Sequence, residues 1–389
     1  MRLDVLVFGG GAAGLWCLDH LRRAGYHAIL LESDALGCGQ TIQSQGIIHG
    51  GGKYALRGVR DFDAVRATSA MPERWRQSLA GAIEPDLSGA ELVSRECHLW
   101  LPRGSAMARL QSLGFMSFLA NSGLLATRPV KIYQDAWPEA LRDSALAVYA
   151  LAEPVVATGS VLNALAHRHA QFTFRYDRAA LEFTGAGVRI GEVSFQPRAK
   201  LLAAGAGNGE LLRQAGMNAE LMQCRPLSMV LLRGALAPLF GHCIVGGKTG
   251  LTITTPVSGV WQIGGEIAER LADEKNPATA RARAWSEIRR WLPGIDAQRV
   301  KIAIYRALRA EARTAASRRP SGVHANRVAP GLVVAWPTKL SMVPVLADEV
   351  CEILKLDLAA PGGYDETPPW PQPAVARYPW EEAEWFAVS

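Results

Sequence analysis

The stretch Arg2 to Asp34, RLDVLVFGGGAAGLWCLDHLRRAGYHAILLESD, is where the fold of this chain is most legible. Val5, Leu6, Val7 and Phe8 follow one another without a polar break, as in a strand buried on both faces. Gly9 to Gly14 reads as a turn. From Ala12 to Ala24, Leu15, Leu18 and Leu21 recur on one side of a helix. His27 to Glu32 is a second apolar strand, and it ends in a carboxylate. Strand, turn, helix and strand in this order predict a βαβ unit with parallel strands and a right-handed crossover.

Inside that unit Gly9, Gly11 and Gly14 match G-x-G-x-x-G, with Ala12 and Ala13 between the last two. The first glycine permits the tight turn, the second lets backbone approach a pyrophosphate, and the third lets helix and strand pack closely. A pyrophosphate would sit at the helix N-terminus, where N–H groups and the dipole favour negative charge. Glu32, with Ser33 beside it, can accept hydrogen bonds from both ribose hydroxyls and would repel a 2′-phosphate. The pattern alone is weak, and an ordinary glycine-rich βα turn is the bland alternative. Its position after a strand, before a helix and ahead of Glu32 makes it specific.

The rest of the chain bounds the possibilities. Its 389 residues suffice for one large or two medium domains. Apolar residues at 49% and charged residues at 20% are ordinary for a globular protein. The most apolar long stretch, Leu110 to Ala126, is interrupted by Gln111, Ser112, Asn121 and Ser122. It reads as a buried or interfacial segment, so no transmembrane segment is expected. The strand pattern begins at Leu3, with no basic region and apolar core of a secretory signal. The six cysteines are scattered and form no CxxC pair, which argues against a disulfide framework or a structural zinc site. These features predict a cytoplasmic protein, with peripheral attachment at the inner face of the membrane as a variant. The net charge of +6 suits an anionic substrate, a membrane surface or simply a solvated exterior. No basic patch interleaved with aromatics is found, so no nucleic-acid partner is expected.

Further along, a helix is predicted at about 61–82, and mixed short strands and apolar helical runs over 88–135. A turn and helix follow over Pro154 to His169, then hairpins over Phe172 to Phe195 and a strand over Lys200 to Gly205. Gln223 to Gly265 reads as strands and turns, 278–292 as a helix, Gly331 to Trp336 as a strand and Ser341 to Leu354 as a helix. Ser341 would be its N-cap, with Pro344 in the first turn. The stretch from Ala360, rich in Pro, Trp and acids, is expected to pack irregularly on the body. His167 and His169 fall on different helix faces, which disfavours a metal pair, and no metal site is expected. Cys97-His98 lacks a third partner for nucleophilic work.

Several later stretches, in order, resemble one family. They are GQTIQSQGIIHGG (Gly39–Gly51), EPVVATGSVLNALA (Glu153–Ala166), LLAAGAGN (Leu201–Asn208) and PGLVVAWPTKLSMVPVLADEVCEIL (Pro330–Leu354). With the N-terminal fingerprint, they resemble the FAD-dependent oxidoreductases of the D-amino-acid oxidase and glycerol-3-phosphate dehydrogenase class. SQGIIHGG is closest to its glycerol-3-phosphate and 2-hydroxyglutarate branch. The resemblance implies FAD as cofactor. It implies that Thr41, Ser44, Gln45 and Gly46 run along the flavin and that Val155 meets the adenine through its backbone. It also implies that Ala204 and Gly205 approach the dinucleotide, and that Lys339, Leu340 and Ser341 cover the ring.

The same resemblance assigns chemistry. His49 would be a general base or an orienting group near the reactive face, or else a packed histidine. Arg309 in YRALRAEA resembles the arginine that clamps a substrate carboxylate or phosphate, and Arg306 is its rival. Lys339 would add positive charge beside the ring or promote reaction with oxygen. Two departures stand out. The class usually has proline after the clamping arginine, where this chain has Ala310, and glycines where this chain has Thr338-Lys339-Leu340.

The expected architecture is α/β. A Rossmann-like FAD domain with a parallel sheet (1–80, 150–215 and 315–360) would be roofed by a mainly antiparallel-sheet substrate domain (81–149 and 216–314), with a Pro/Trp-rich tail over 361–389. The expected reaction is hydride transfer from a CH–OH or CH–NH group of a small acid, amino acid or phosphorylated alcohol to flavin N5. Oxygen, a quinone or a carrier protein would take the electrons. The alternatives are an FAD-dependent monooxygenase and a non-catalytic FAD-binding subunit. No "GD" flavin motif precedes the last helix, which counts against the first.

Overall fold

The computed structural model describes residues 1–51, 68–103, 129–185, 187–246, 248–314, 320, 322–358, 360–362 and 366–388. The apolar stretch Leu110 to Ala126 and the first part of the helix expected at 61–82 lie outside these. Among the described residues no helix is long and apolar enough to cross a membrane.

The N-terminal reading holds closely. Strand β1 is Arg2–Phe8, helix α1 is Ala12–Arg23 and strand β2 is Ala28–Glu32. The strands are parallel, with Val5 opposite Ala28 and Phe8 opposite Leu31. On the other side of β1 lies the strand Val193–Leu202, also parallel, and beyond it Leu332–Trp336. Thr173–Arg175 runs parallel to the far edge of β2. His324–Ala329 closes the opposite edge antiparallel.

This sheet is covered on both faces, which is why its strands read as unbroken apolar runs. Val5, Val7, Leu30 and Val333 pack beneath α1 and the C-terminal helix Val343–Leu358, against Leu15, Leu18, Leu346 and Val350. Leu6, Phe8, Leu31 and Trp336 pack on the other face with Phe195 and Tyr176.

Among the described residues the second sheet has nine strands. Its longest pair, Met222–Gly234 and Val300–Ala312, lies near one edge and is antiparallel along its whole length. The neighbouring strands are antiparallel too, except Gly241–Val245, which runs parallel to Cys97–Pro102. The protein is thus α/β, with a Rossmann-like parallel sheet and a mainly antiparallel second sheet.

The structure corrects some local expectations. Phe172 to Phe195 is a run of hairpins only from Leu181 onward, because Thr173–Arg175 joins the parallel sheet. Leu181–Thr184, Gly187–Ile190 and the start of the long strand Val193–Leu202 form two successive antiparallel hairpins. The C-terminal helix begins at Val343, after a 3-10 turn over Leu340–Met342. Ser341 lies inside that turn and is not the N-cap, whereas Pro344 does fall in the first helical turn. The tail runs along the body: Trp370, partly buried, packs against the first sheet's core, and Phe386–Ala387 adds a short edge strand to the second sheet.

The tightest point of the fold is the glycine turn. A Cβ on Gly14 would stand 1.9 Å from the Gly9 carbonyl oxygen, with no flexible side chain to yield. Gly14→Ala should therefore destabilise by about 3 kcal/mol, the upper end for overpacking. A chemical-denaturation midpoint unchanged from wild type would show that the turn can relax.

Candidate functional site

Gly9 takes φ of +108°, and a Cβ there would lie 2.5 Å from Ala204 Cα. The ends of β1 and of Val193–Leu202 therefore meet backbone to backbone. The Ala204–Gly205 turn is held by Asn208, which accepts from the Ala204 N–H at 2.8 Å and donates to the Ala335 carbonyl at 3.2 Å. Between these ends α1 starts at Ala12 with no side-chain cap and no acid in its first turn. Thr41 Oγ1 accepts the Ala12 N–H at 3.1 Å.

A cleft of about 420 Å³ opens over this helix start. Gly9, Gly11, Ala12, Ala13, Glu32, Ser33, Thr41, Ser44, Ala204, Gly205, Lys339 and Leu340 all line it, as the sequence led us to expect. Glu32 Oε2 accepts the Gly10 N–H at 2.6 Å and its Oε1 accepts the Asp34 N–H at 3.0 Å. A carboxylate offers about four lone-pair directions, so these bonds orient it and leave room for ribose hydroxyls. The cleft fits FAD on two local counts. The helix start presents backbone N–H groups to an anion. In addition, Ser44 Oγ is buried in its wall without a hydrogen-bond partner.

Tyr176 and Arg178 line the same cleft and had not been anticipated. Tyr176 follows the short strand beside β2, and its N–H donates to the Glu32 carbonyl at 3.0 Å. Burial, and then the charge of Glu32, push its phenol up to about 12, so it stays a neutral O–H. The sequence signal existed, since FTFRY is a short apolar strand, but a hairpin reading concealed it.

Other assignments need correction. Val155 does not line this cleft. It bridges Ile47 and pairs with Ser94, inside a separate cluster with Cys97 and Leu99. The strand that borders β2, and so the Glu32 end of the cleft, is Thr173–Arg175 rather than Val155-Val156. Ser341 is buried behind the site: its carbonyl accepts Trp75 Nε1–H at 3.0 Å, and it lines neither large cavity. Gln45 and Gly46 line a second chamber instead of the cleft. Gly46 is needed for backbone contact, as a Cβ there would sit 2.0 Å from the Val156 carbonyl oxygen.

The second chamber, about 510 Å³, adjoins the cleft. Its floor is the loop from Gln40 to His49 and its roof is the second sheet. The loop is pinned to that roof. Gln45 Nε2 donates to the carbonyls of Thr252 and Gln262, at 2.9 and 2.8 Å. Gln262 Nε2 and the Tyr305 hydroxyl both donate to the Gln43 carbonyl, at 2.9 and 3.0 Å. Burial pushes the Tyr305 phenol well up, so this donor keeps its proton.

The strand Val300–Ala312 decides between the two arginines. Alternation sends Arg309 to the chamber with Ala307, whereas Arg306, largely exposed, lies with Ala310 on the other face and lines the cleft, its Nη2 on the Glu274 carbonyl at 3.1 Å. Arg309 Nη1 approaches Glu269 Oε1 at 3.8 Å. Lys248, largely exposed, approaches Glu266 at 4.0 Å. The chamber is therefore of mixed charge, and the two acids, on the helix Glu266–Arg270, had not been anticipated. Lys339 is 6% exposed and lines both cavities.

Both sequence departures have a physical account. Ala310 donates its N–H to Gln40 Oε1 at 3.0 Å, a bond that proline could not make. Thr338 keeps φ at +63°, the one positive value for a non-glycine among the described residues. Its hydroxyl donates to the Gly322 carbonyl at 2.6 Å and helps hold that conformation. Of the unpromising histidines, His169 is engaged by Asp19 Oδ1 at 2.9 Å on the far side of α1.

Comparison with known proteins agrees with this geometry. The family model described as FAD dependent oxidoreductase (DAO) matches residues 4–352. Probable FAD-dependent oxidoreductase PA4991 of Pseudomonas aeruginosa is 37% identical over 394 residues, covering 98% of each chain. Its crystal structure superposes with a TM-score of 0.82, at 34% identity and 98% coverage of both chains. L-α-glycerophosphate oxidase from Mycoplasma pneumoniae, solved with FAD bound, superposes at a TM-score of 0.65 with 14% identity, covering 97% of this chain and all of its own. Glycine oxidase from Geobacillus kaustophilus gives 0.62 with 16% identity, covering 94% and 96%. The last two are likenesses of fold.

Gly11 offers the sharpest local test. A Cβ there meets only Thr41 Oγ1, at 3.2 Å, and it lines the cleft. Gly11→Leu is expected to fold yet lose most of its bound FAD, as read by the ratio of visible flavin absorbance to protein absorbance. Full FAD content in a folded Gly11→Leu protein would place the cofactor elsewhere.

Proposed function

The chain belongs to the DAO family of FAD-dependent oxidoreductases, and from that premise we propose that it oxidises a CH–OH or CH–NH group of a small acid, amino acid or phosphorylated alcohol. The observation that carries the reading is a shared wall. Gln40, Gln43, Ser44, Leu308, Lys339 and Leu340 face both the dinucleotide cleft and the chamber that holds His49 and Arg309. In this reading residues 1–80, 150–215 and 315–360 serve the cofactor, and 81–149 and 216–314 roof the substrate.

Gly9, Gly11, Ala12, Ala13, Gly14, Glu32 and Ser33 would hold the AMP half, and Thr41, Ser44 and Ala204–Gly205 the middle. FAD, when bound, supplies a ring that accepts a hydride and passes the electrons to oxygen, a quinone or a carrier. Arg309 binds the acidic group of the substrate through its fork of N–H donors. Glu269 beside it restrains that guanidinium and suits a substrate that also carries a positive group. His49 takes the proton from the hydroxyl or amine as the hydride leaves. Lys339, buried at the shared wall, places positive charge where negative charge develops.

The test is anaerobic mixing of the FAD-loaded enzyme with a panel of hydroxy acids, amino acids and glycerol phosphates. Bleaching of the flavin absorbance by one of them is the expected result. Oxygen incorporation that requires NADPH would point to a monooxygenase, and silence across the panel to a non-catalytic subunit. With the reactive compound in hand, Arg309→Ala should raise KM by roughly 10- to 100-fold, the worth of hydrogen bonds between charged groups. An unchanged KM would remove Arg309 from substrate binding.

A further inference from the structure

We infer that Glu153 is the positioning residue of His49, fixing which nitrogen of the imidazole carries a proton. The inference rests on the role proposed for His49 and adds a residue, an atom and a tautomer to it.

Glu153 is 3% exposed, and a buried carboxylate must be compensated. Both of its oxygens are engaged by one dipeptide. Oε1 accepts the Gly50 N–H at 2.6 Å, and Oε2 lies 3.3 Å from His49 Nδ1. The carboxylate thus grips the side chain of His49 and the backbone that follows it. An ionised carboxylate can only accept, so Nδ1 carries the hydrogen. In neutral His49 the lone pair then falls on Nε2, and His49 lines the chamber.

The pair is preorganised by the surrounding backbone. The Ile48 N–H donates to the Pro154 carbonyl at 2.9 Å, and the Val156 N–H to the Gly46 carbonyl at 3.0 Å. These bonds, with the Ile47–Val155 bridge, lace 46–50 to 153–156 on both sides of the pair. Glu153 is held no less firmly than the histidine it orients. A second histidine completes the packing. His242 lies with its ring centroid 5.3 Å from that of His49, and its Nδ1 is 2.9 Å from Thr252 Oγ1. The other charged groups of the chamber are Arg309 with Glu269, Lys248 with Glu266, and Lys339.

One ligand atom each of His49, Glu153 and His242 lies within 4.8 Å of the other two, an arrangement that also suits a metal ion. The carboxylate favours the pair. Oε1 is already bonded to Gly50, and Oε2 meets Nδ1 at hydrogen-bonding distance.

The experiment is nitrogen-15 NMR of histidine-labelled, FAD-loaded protein, with the His49 resonances assigned by their loss in His49→Gln. The wild type should show His49 in the Nδ1–H tautomer. Glu153→Gln should lower its titration midpoint by about one pH unit, tenfold in proton affinity, because the carboxylate favours the imidazolium. Glu153→Gln keeps an acceptor for Gly50, and retained FAD and melting temperature verify its fold. The pH profile of anaerobic flavin reduction should shift by the same amount in the same direction. An Nε2–H tautomer in the wild type overturns the inference without any change at Glu153. So does an unmoved midpoint in folded Glu153→Gln, or a stoichiometric divalent ion that a chelator removes from purified protein. If His49→Gln reduces at the wild-type rate while the midpoint still follows Glu153, the pairing stands and the proton-acceptor role of His49 falls.

Discussion

The structure depends on a place where two backbones touch. Gly9 lies against Ala203 and Ala204, and Gly14 against the carbonyl of Gly9, at distances that leave no room for a Cβ. This contact brings the end of β1, the end of Val193–Leu202 and the start of α1 to one point. The strands are parallel, so their C-terminal ends coincide, and a crevice opens there by topology alone. The cleft proposed to hold FAD is that crevice. Its anion-binding character comes from a helix that starts without a side-chain cap and without acids.

A second constraint turns a nucleotide cleft into a candidate reaction site. The loop that leaves the cleft, from Gln40 to His49, is bound to the second sheet through Gln45, Gln262 and Tyr305. These bonds are buried or partly buried, where an unmade partner is costly. They fix the height of the roof above the floor, and the two cavities consequently share a wall. The departures at Ala310 and Thr338 fit this picture. Each is hydrogen-bonded into its surroundings, Ala310 to Gln40 and Thr338 to the Gly322 carbonyl.

The chamber's charge differs from a simple anion trap. Arg309 and Lys248 each approach a glutamate, and Arg225, opposite Arg309 across the sheet, is engaged by buried Glu311 at 2.5 Å. Paired cations cost less to keep within a partly enclosed site than bare ones. They also discriminate by geometry as well as by charge, since a substrate must displace or join the pair.

By itself, the sequence determined the local and periodic features. The βαβ unit, the glycine turn, Glu32, and the strands and helix around Trp336 and Val343 follow from spacing and from the stereochemistry of glycine, which act over a few residues. The part of the cleft's lining formed by the turn and the start of its helix was legible for the same reason, because the two are contiguous in the chain. Tertiary structure alone decided what depends on meetings between distant segments. Strand order gave Tyr176, and not Val155, a place beside Glu32. Strand alternation in a sheet of known partners turned Arg309 to the chamber and Arg306 to the cleft. Glu153, more than a hundred residues from His49, became its partner only when 153–156 paired with the loop. Such contacts leave no periodic signal in the sequence, since their positions are set by packing and register and not by spacing along the chain.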